Sequence, residues 1–402
     1  LTNERFPLTG RRLEELDSLR GAAALVVVFH HTLMVLPRFS DFTAGRTRPH
    51  GLGEMLMFQT PLALLWAGHA AVLLFFTLSG FVLALPWLNG RAPTYPVFAV
   101  RRIFRIWAPY MAVVGAVMLM LLTVRFPPLH GLSSWLNKSW NHPVTWDVLV
   151  QHILMTGEDD FVDNPVWSLD WEMRISAVFP LLMLPLVRWR AAGGLAAGGL
   201  LLVAYFGFEL VLKRPGQGDP VFLLYTLGFV VGAILAACQD QIRTLLAKPW
   251  ASLGLAAAAA VTLSRTPPFA WQDTPGELIM LAGAVALICA AIAPGPLHRA
   301  LLRPALKSLG RISYSLYLVH VPVILLAAHL LHGRAPVWAV MAIGVAGALA
   351  LATGVNRLVE ESFDRLGRRL AGRLPVPAGS AKRAVAAPAP TWAAASEDRD
   401  AA

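Results

Sequence analysis

Cysteine is nearly absent. Cys238 and Cys289 are the two in 402 residues, and both fall inside apolar runs. That excludes a disulfide framework and a thiolate metal centre, each of which needs several cysteines at characteristic spacings, and leaves free buried thiols as the expectation. Charge is scarce too: Asp, Glu, Lys and Arg together make up 14% of the chain, against roughly 25% in soluble proteins, so a soluble globular domain is excluded. A phosphate-binding glycine loop, a dinucleotide fingerprint in its strand context and a nucleophile elbow are missing as well. No metal-ligand spacing is present, and no metal is expected.

Hydrophobic residues fill the space, at 56% of the chain with a mean hydropathy of +0.58. Runs long enough to cross a bilayer recur at about 16–37, 61–86, 107–125, 166–187, 191–212, 220–238, 250–265, 276–295, 312–332 and 335–358. Without strict alternation these runs must be helices, because a spanning segment has to satisfy its own backbone. The expected fold is therefore all-α: a polytopic membrane protein with about ten transmembrane helices. The net charge of +10 could suggest nucleic acid, but its distribution points elsewhere. With the N-terminus placed in the cytoplasm, the inside segments carry more than twice as many Lys and Arg as the outside loops. This is the positive-inside pattern, with both termini cytoplasmic in the inner (plasma) membrane and no nucleic-acid partner.

Three parts are expected: a cytoplasmic N-terminal segment over 1–15, a transmembrane domain over 16–370, and a Pro/Ala-rich disordered cytoplasmic tail over 371–402. The first apolar run reads as a retained span, since no small-x-small cleavage site follows it before Pro37. The long loop from about 126 to 165 carries Trp135, Trp140, Trp146 and the acidic cluster Glu158, Asp159, Asp160. It either shapes an acceptor site from outside or anchors the interface with its aromatics.

The most informative segment is LDSLRGAAALVVVFHHT, which places Arg20 and His31 eleven residues apart. Eleven steps of about 100° make three turns plus about 20°, so the two side chains share a face, about 16.5 Å apart along the axis. Arg20 is then expected near one membrane surface and His31 near the midplane, both facing a protein interior rather than lipid. His30 points about 80° away from that face and ranks second.

VFAVRRIFRIWAPY, residues 97–110, crowds Arg101, Arg102 and Arg105 just before the third run. Guanidinium forks suit phosphate and pyrophosphate oxygens, so the cluster suits a nucleotide-bearing donor; a lipid-touching topology anchor is the competing reading. NPVWSLDWEMRISAVFP, residues 164–180, pairs Ser168 with Glu172 and Asp170 with Arg174 at i, i+4. Asp170–Arg174 reads as a structural ion pair, which leaves Glu172 as the functional candidate. FFTLSGFVLA puts Ser79 and Gly80 where close helix packing is expected. Tyr314, Tyr317 and His320 lie in LGRISYSLYLVHVP, with His320 read as an interior hydrogen-bonded histidine. Glu360 in NRLVEES reads as a structural salt-bridge partner.

Taken in order, these segments resemble the acyltransferase-3 family of integral-membrane O-acyltransferases across nearly the whole hydrophobic chain. LDSLRGAAALVVVFHH is similar to its first-span motif, which selects Arg20 and His31. FFTLSGFVL and RRIFRIWAPY resemble the next blocks, and PVWSLDWEMRISAVFP resembles a fourth in which Trp167, Ser168 and Glu172 align. There are departures: Asp170-Trp171-Glu172-Met173-Arg174-Ile175-Ser176 stands where the family usually reads Ser-Val-Glu-Glu-Gln-Phe-Tyr, and Glu360-Glu361-Ser362 replaces a Glu-Arg-Pro-type turn. They mark a subgroup and bear on the acceptor more than on the reaction.

The resemblance implies transfer of an acyl group, usually acetyl from acetyl-CoA or another acyl-CoA, to a hydroxyl of a cell-envelope saccharide or glycolipid. Arg101, Arg102 and Arg105 would engage the CoA phosphates. His31 would act as general base or carry the acyl group covalently; Glu172 would orient His31 or bind the acceptor; Arg20 would stabilise the oxyanion or hold the pantetheine arm. A small secreted natural product is an alternative acceptor. From another class, a proton-coupled transporter or flippase would use His31 and Glu172 as a relay, although the repeated halves expected of one are absent.

Overall fold

The computed structural model describes residues 13–156, 161–208, 221–264 and 274–375. The acidic cluster Glu158–Asp160 and nearly all of the tail expected over 371–402 lie outside these residues. Among the described residues the chain is 82% helical and has no strand.

Nine principal helices carry the fold among the described residues: α1 (Glu14–Leu33), α2 (Gly68–Leu88), α3 (Tyr95–Thr123), α4 (Asn164–Gly207), α5 (Val221–Ala237), α6 (Pro249–Ser264), α7 (Thr274–Ile292), α8 (Pro304–Leu331) and α9 (Val337–Ala371). By length and composition, α2, α3, α4, α8 and α9 can each cross a membrane. The count rises to seven if α1 with Pro37–Thr43, and α5 with Gln239–Leu245, each form one bent span. Among the described residues each of the ten apolar runs falls mainly on helix, and two of them share α4. Its course breaks at Arg190, whose φ of 55° is a left-handed conformation few side chains adopt.

The first run does not continue to residue 37 as one helix. Helix α1 stops at Leu33, and Pro37, which cannot donate to the preceding turn, opens a short helix bent away by 116°. His31 therefore stands in the last turn of α1 rather than halfway along it.

Glycines set how closely the helices approach. A Cβ on Gly21 would lie 2.5 Å from the Gly310 nitrogen, and one on Gly310 would lie 2.5 Å from the Asp17 carbonyl oxygen, so α1 and α8 touch backbone to backbone. The same holds between α2 and α5, where Gly80 abuts Phe229 and Gly232 abuts Thr77, each with a carbonyl oxygen 2.0 Å from where a Cβ would be. This is the close packing expected at Gly80. Small residues allow such contact where no hydrophobic effect drives helix association.

Helices α3 and α9 each carry a π-type turn. In α3 the turn covers Ile103–Trp107, just ahead of Pro109, whose ring has no N–H for the preceding turn; the Tyr314 hydroxyl donates to the Ile106 carbonyl (2.6 Å). In α9 it covers Asn356–Glu360. The two face each other through the Arg105–Glu360 ion pair (2.7 Å).

Gly310→Ala should destabilise the fold by about 1–3 kcal/mol or more, as overpacking against backbone does. Gly115→Ala, where no atom lies within 4 Å, should be neutral. Thermal unfolding of the two variants in the same detergent checks the contrast.

Candidate functional site

The last turn of α1 delivers His30 and His31 into a cavity of about 380 Å³. Its roof is the short helices Pro37–Thr43 and Gly51–Gln59, whose Phe39, Phe42 and Phe58 cluster with Met34. Trp135, Asn164, Trp167, His69 and Tyr317 complete the polar and aromatic lining. The three loop tryptophans thus separate. Trp135 stands 5.6 Å from the His31 ring, Trp140 is buried and donates to the Val162 carbonyl (2.9 Å), and Trp146 is exposed. His30 is held aside by a 2.9 Å bond between Nδ1 and the Trp66 carbonyl.

His320, fully buried on α8, meets His31 across the α1–α8 contact, with His320 Nε2 3.1 Å from His31 Nδ1. Carbonyl oxygens of Tyr317 (2.8 Å) and Leu316 (3.1 Å) lie against His320 Nδ1, and the Val27 carbonyl (3.1 Å) against His31 Nδ1. The Asn164 carboxamide oxygen accepts from the Trp135 indole N–H (3.4 Å) on the wall of the same cavity. A further pair lies behind this cavity: His69 Nε2 and the buried Glu277 carboxylate are 2.6 Å apart.

The arginines line a second cavity of about 660 Å³ with Arg20, Ser79, Glu172 and Tyr314. Arg102 donates to Glu172 (3.1 Å) and to Ser176 Oγ (2.6 Å), and Ser79 donates to the same Glu172 oxygen (2.9 Å). Arg105 is paired with Glu360, whose other oxygen accepts from Ser315 (2.6 Å) and Asn356 (2.9 Å). Arg101 is exposed, and Arg20 lies 3.7 Å from Asp17. Five guanidinium groups border this cavity, those of Arg20, Arg101, Arg102, Arg105 and Arg368; Asp17, Glu172, Glu360 and Asp364 partner four of them, and Arg101 is the most open to an incoming anion.

The two cavities share Val72 and Tyr317. The buried Tyr317 hydroxyl bonds the Pro165 carbonyl (2.9 Å) and Ser168 (2.7 Å), which fixes the ring between them. Arg20 and His31 share a face of α1, as the spacing predicts, yet open on opposite sides of this partition. Glu172 lies on the arginine side, engaged by Arg102 and Ser79. Arg174 does not form the ion pair expected with Asp170: its guanidinium donates to the Met155 carbonyl (2.6 and 3.2 Å) and lies over the Trp171 ring at 4.7 Å. Outside the spans, burial pushes the His152 imidazole down to about 4 and holds the Asp163 carboxyl well above the usual carboxylate range.

Sequence reasoning passed over His320 as a member of the site, along with Tyr317, Asn164 and the His69–Glu277 pair. One signal was available: Gly21 precedes His31, and Gly310 precedes His320, by the same ten residues. Among the described residues no group of three or more His, Cys, Asp or Glu is placed to hold a metal ion.

The sequence profile of one family, Acyltransferase domain (acyltransferase-3), matches residues 13–357. Acyltransferase MdmB of Streptomyces mycarofaciens is 28% identical over 373 residues, which cover 85% of this chain and 86% of that protein. No solved structure matches.

Glu360→Gln should leave Arg105 without its counter-charge and cost about 1–2 kcal/mol, a buried-pair penalty reduced because Arg105 is partly exposed. The midpoint of thermal unfolding measures it, and an unchanged midpoint would mean that the pair contributes nothing to the fold.

Proposed function

Because the chain belongs to the acyltransferase-3 family, and is thus a multi-pass membrane enzyme that transfers acyl groups other than aminoacyl groups, we propose that it moves an acetyl group from acetyl-CoA to a hydroxyl of a cell-envelope saccharide or glycolipid in the plasma membrane. Family membership removes the transporter reading. The observation that carries the proposal is the division of the interior into an arginine cavity and a histidine cavity that meet at Tyr317.

In this reading the arginine cavity opens to the cytoplasm, where both termini lie, and takes the acyl-CoA. Arg101 meets its phosphates first, while Arg102 and Arg105 supply positive field from positions held by Glu172 and Glu360. Arg20, on the same cavity, holds the pantetheine arm or the carbonyl oxygen as it gains charge. Glu172 acts by keeping Arg102 in place. The acceptor sits in the histidine cavity, where Trp135 and Trp167 offer flat faces to a sugar ring.

His31 takes the proton from the acceptor hydroxyl as its oxygen attacks the thioester carbon. The new C–O bond forms, the C–S bond breaks, and the departing thiolate recovers the proton that His31 took, which returns His31 to its neutral form. The thioester must pass Tyr317 to reach His31, so the partition also keeps water in the histidine cavity away from the bound donor.

Membranes bearing the wild type should move label from acetyl-CoA into a saccharide or glycolipid fraction, and His31→Ala membranes with equal folded protein should not. Label in a small-molecule fraction would instead identify a secreted natural product as acceptor, and equal labelling by both proteins would remove His31 from the chemistry. Neutralising Arg101 and Arg102 together should raise the KM for acetyl-CoA at least about tenfold, as loss of charge-assisted bonds does. An unchanged KM would return the cluster to a topological role. Glu172→Gln should lower activity far more than Asp170→Asn, because Glu172, unlike Asp170, holds an arginine of the donor cavity.

A further inference from the structure

We infer that His320 is a positioning residue of the transfer reaction: it fixes the His31 ring so that Nε2 carries the free lone pair. The inference rests on the reading of His31 as the base. A carbonyl oxygen can only accept a hydrogen bond, and His320 Nδ1 faces two of them, from Tyr317 at 2.8 Å and Leu316 at 3.1 Å. Its proton therefore resides on Nδ1, and in the neutral ring Nε2 is left as an acceptor.

That acceptor lies 3.1 Å from His31 Nδ1, and the Val27 carbonyl lies at the same distance from the same nitrogen. Both neighbours of His31 Nδ1 are acceptors, so Nδ1 bears the proton and Nε2 holds the lone pair. Without His320, Val27 alone would oppose the other tautomer.

The arrangement also serves the charged state. When the acceptor O–H gives its proton to His31 Nε2, the ring becomes an imidazolium with two N–H groups. Nδ1–H then donates to His320 Nε2 more strongly than before. His320 gains no proton and forms no bond to the acyl group. It acts as the buried orienting partner acts in other histidine-based sites, with a neutral imidazole in place of a carboxylate. A neutral partner suits this place, since His320 is fully buried and a carboxylate there would be charged in an apolar surround.

The test compares His320→Gln, which keeps an acceptor at similar reach, with His320→Met, which keeps length and bulk without one. His320→Met should lower kcat about 10- to 100-fold, the usual loss on removing an orienting partner. The KM for acetyl-CoA should stay within about twofold, because the donor binds on the other side of Tyr317. His320→Gln should recover most of kcat. Equal activity in both variants, whether full or lost, would overturn the proposal.

A second measurement is independent of turnover. With ¹⁵N-labelled histidine, and the His31 signals identified by their loss in His31→Ala, Nε2 should be the unprotonated nitrogen of the neutral ring. A protonated Nε2 with bare Nδ1 would overturn the proposal even if His320→Met failed to fold. Should His31→Ala remain active, the base reading fails separately, and the nitrogen shifts still report the tautomer.

Discussion

The contact between α1 and α8 at Gly21 and Gly310 is the constraint on which the site depends. Both glycines meet the opposing backbone at distances that no Cβ tolerates. From that crossing each helix climbs ten residues, about 15 Å, to its histidine. Equal rise on two helices that touch brings His31 and His320 to 3.1 Å. A bulkier residue at the crossing would part the helices and separate the rings, so the packing of one end sets the histidine contact at the other.

A different device holds the arginines. An extended charged cluster in a membrane protein is costly unless its charges are paired or wet. Here Glu172 and Glu360 each take one guanidinium, and both carboxylates are in turn held by hydroxyl or amide donors. The pairing leaves a positively biased cavity rather than a row of free charges. The π-type turns in α3 and α9 belong to the same arrangement, since they bring Arg105 and Glu360 to face each other. Tyr317 then separates this cavity from the aromatic one by a single side chain anchored to Ser168 and Pro165. The two cavities offer different surroundings, one rich in charge and one in rings, and they meet at one side chain.

Helical class and location of the apolar segments were legible because both follow from local composition and from runs of the right length. The shared face of Arg20 and His31 was legible for the same kind of reason, since a 3.6-residue period is a property of one helix. The expectation at Gly80 rested on a small residue in an apolar run, and packing against Phe229 shows why. Partners were another matter. Arg174 stands one turn from Asp170, yet its guanidinium turns to the Met155 carbonyl, an orientation set by a loop that helical spacing does not describe. The bend after Leu33 was written in Pro37, but its consequence, His31 near a helix end under a phenylalanine roof, came from the chain folding back over it.

The sequence by itself determined the helical membrane architecture and the family, because each of these is encoded in local pattern or motif; it also placed the titratable side chains on their helices. Only the tertiary structure decided their partners: Glu172 with Arg102 across 70 residues, Arg105 with Glu360 across 255, and His31 with His320 across 289. Such pairs depend on which helices touch and in what register. Glycine contacts, prolines and buried hydrogen bonds settle that register together, and no single segment carries the information alone.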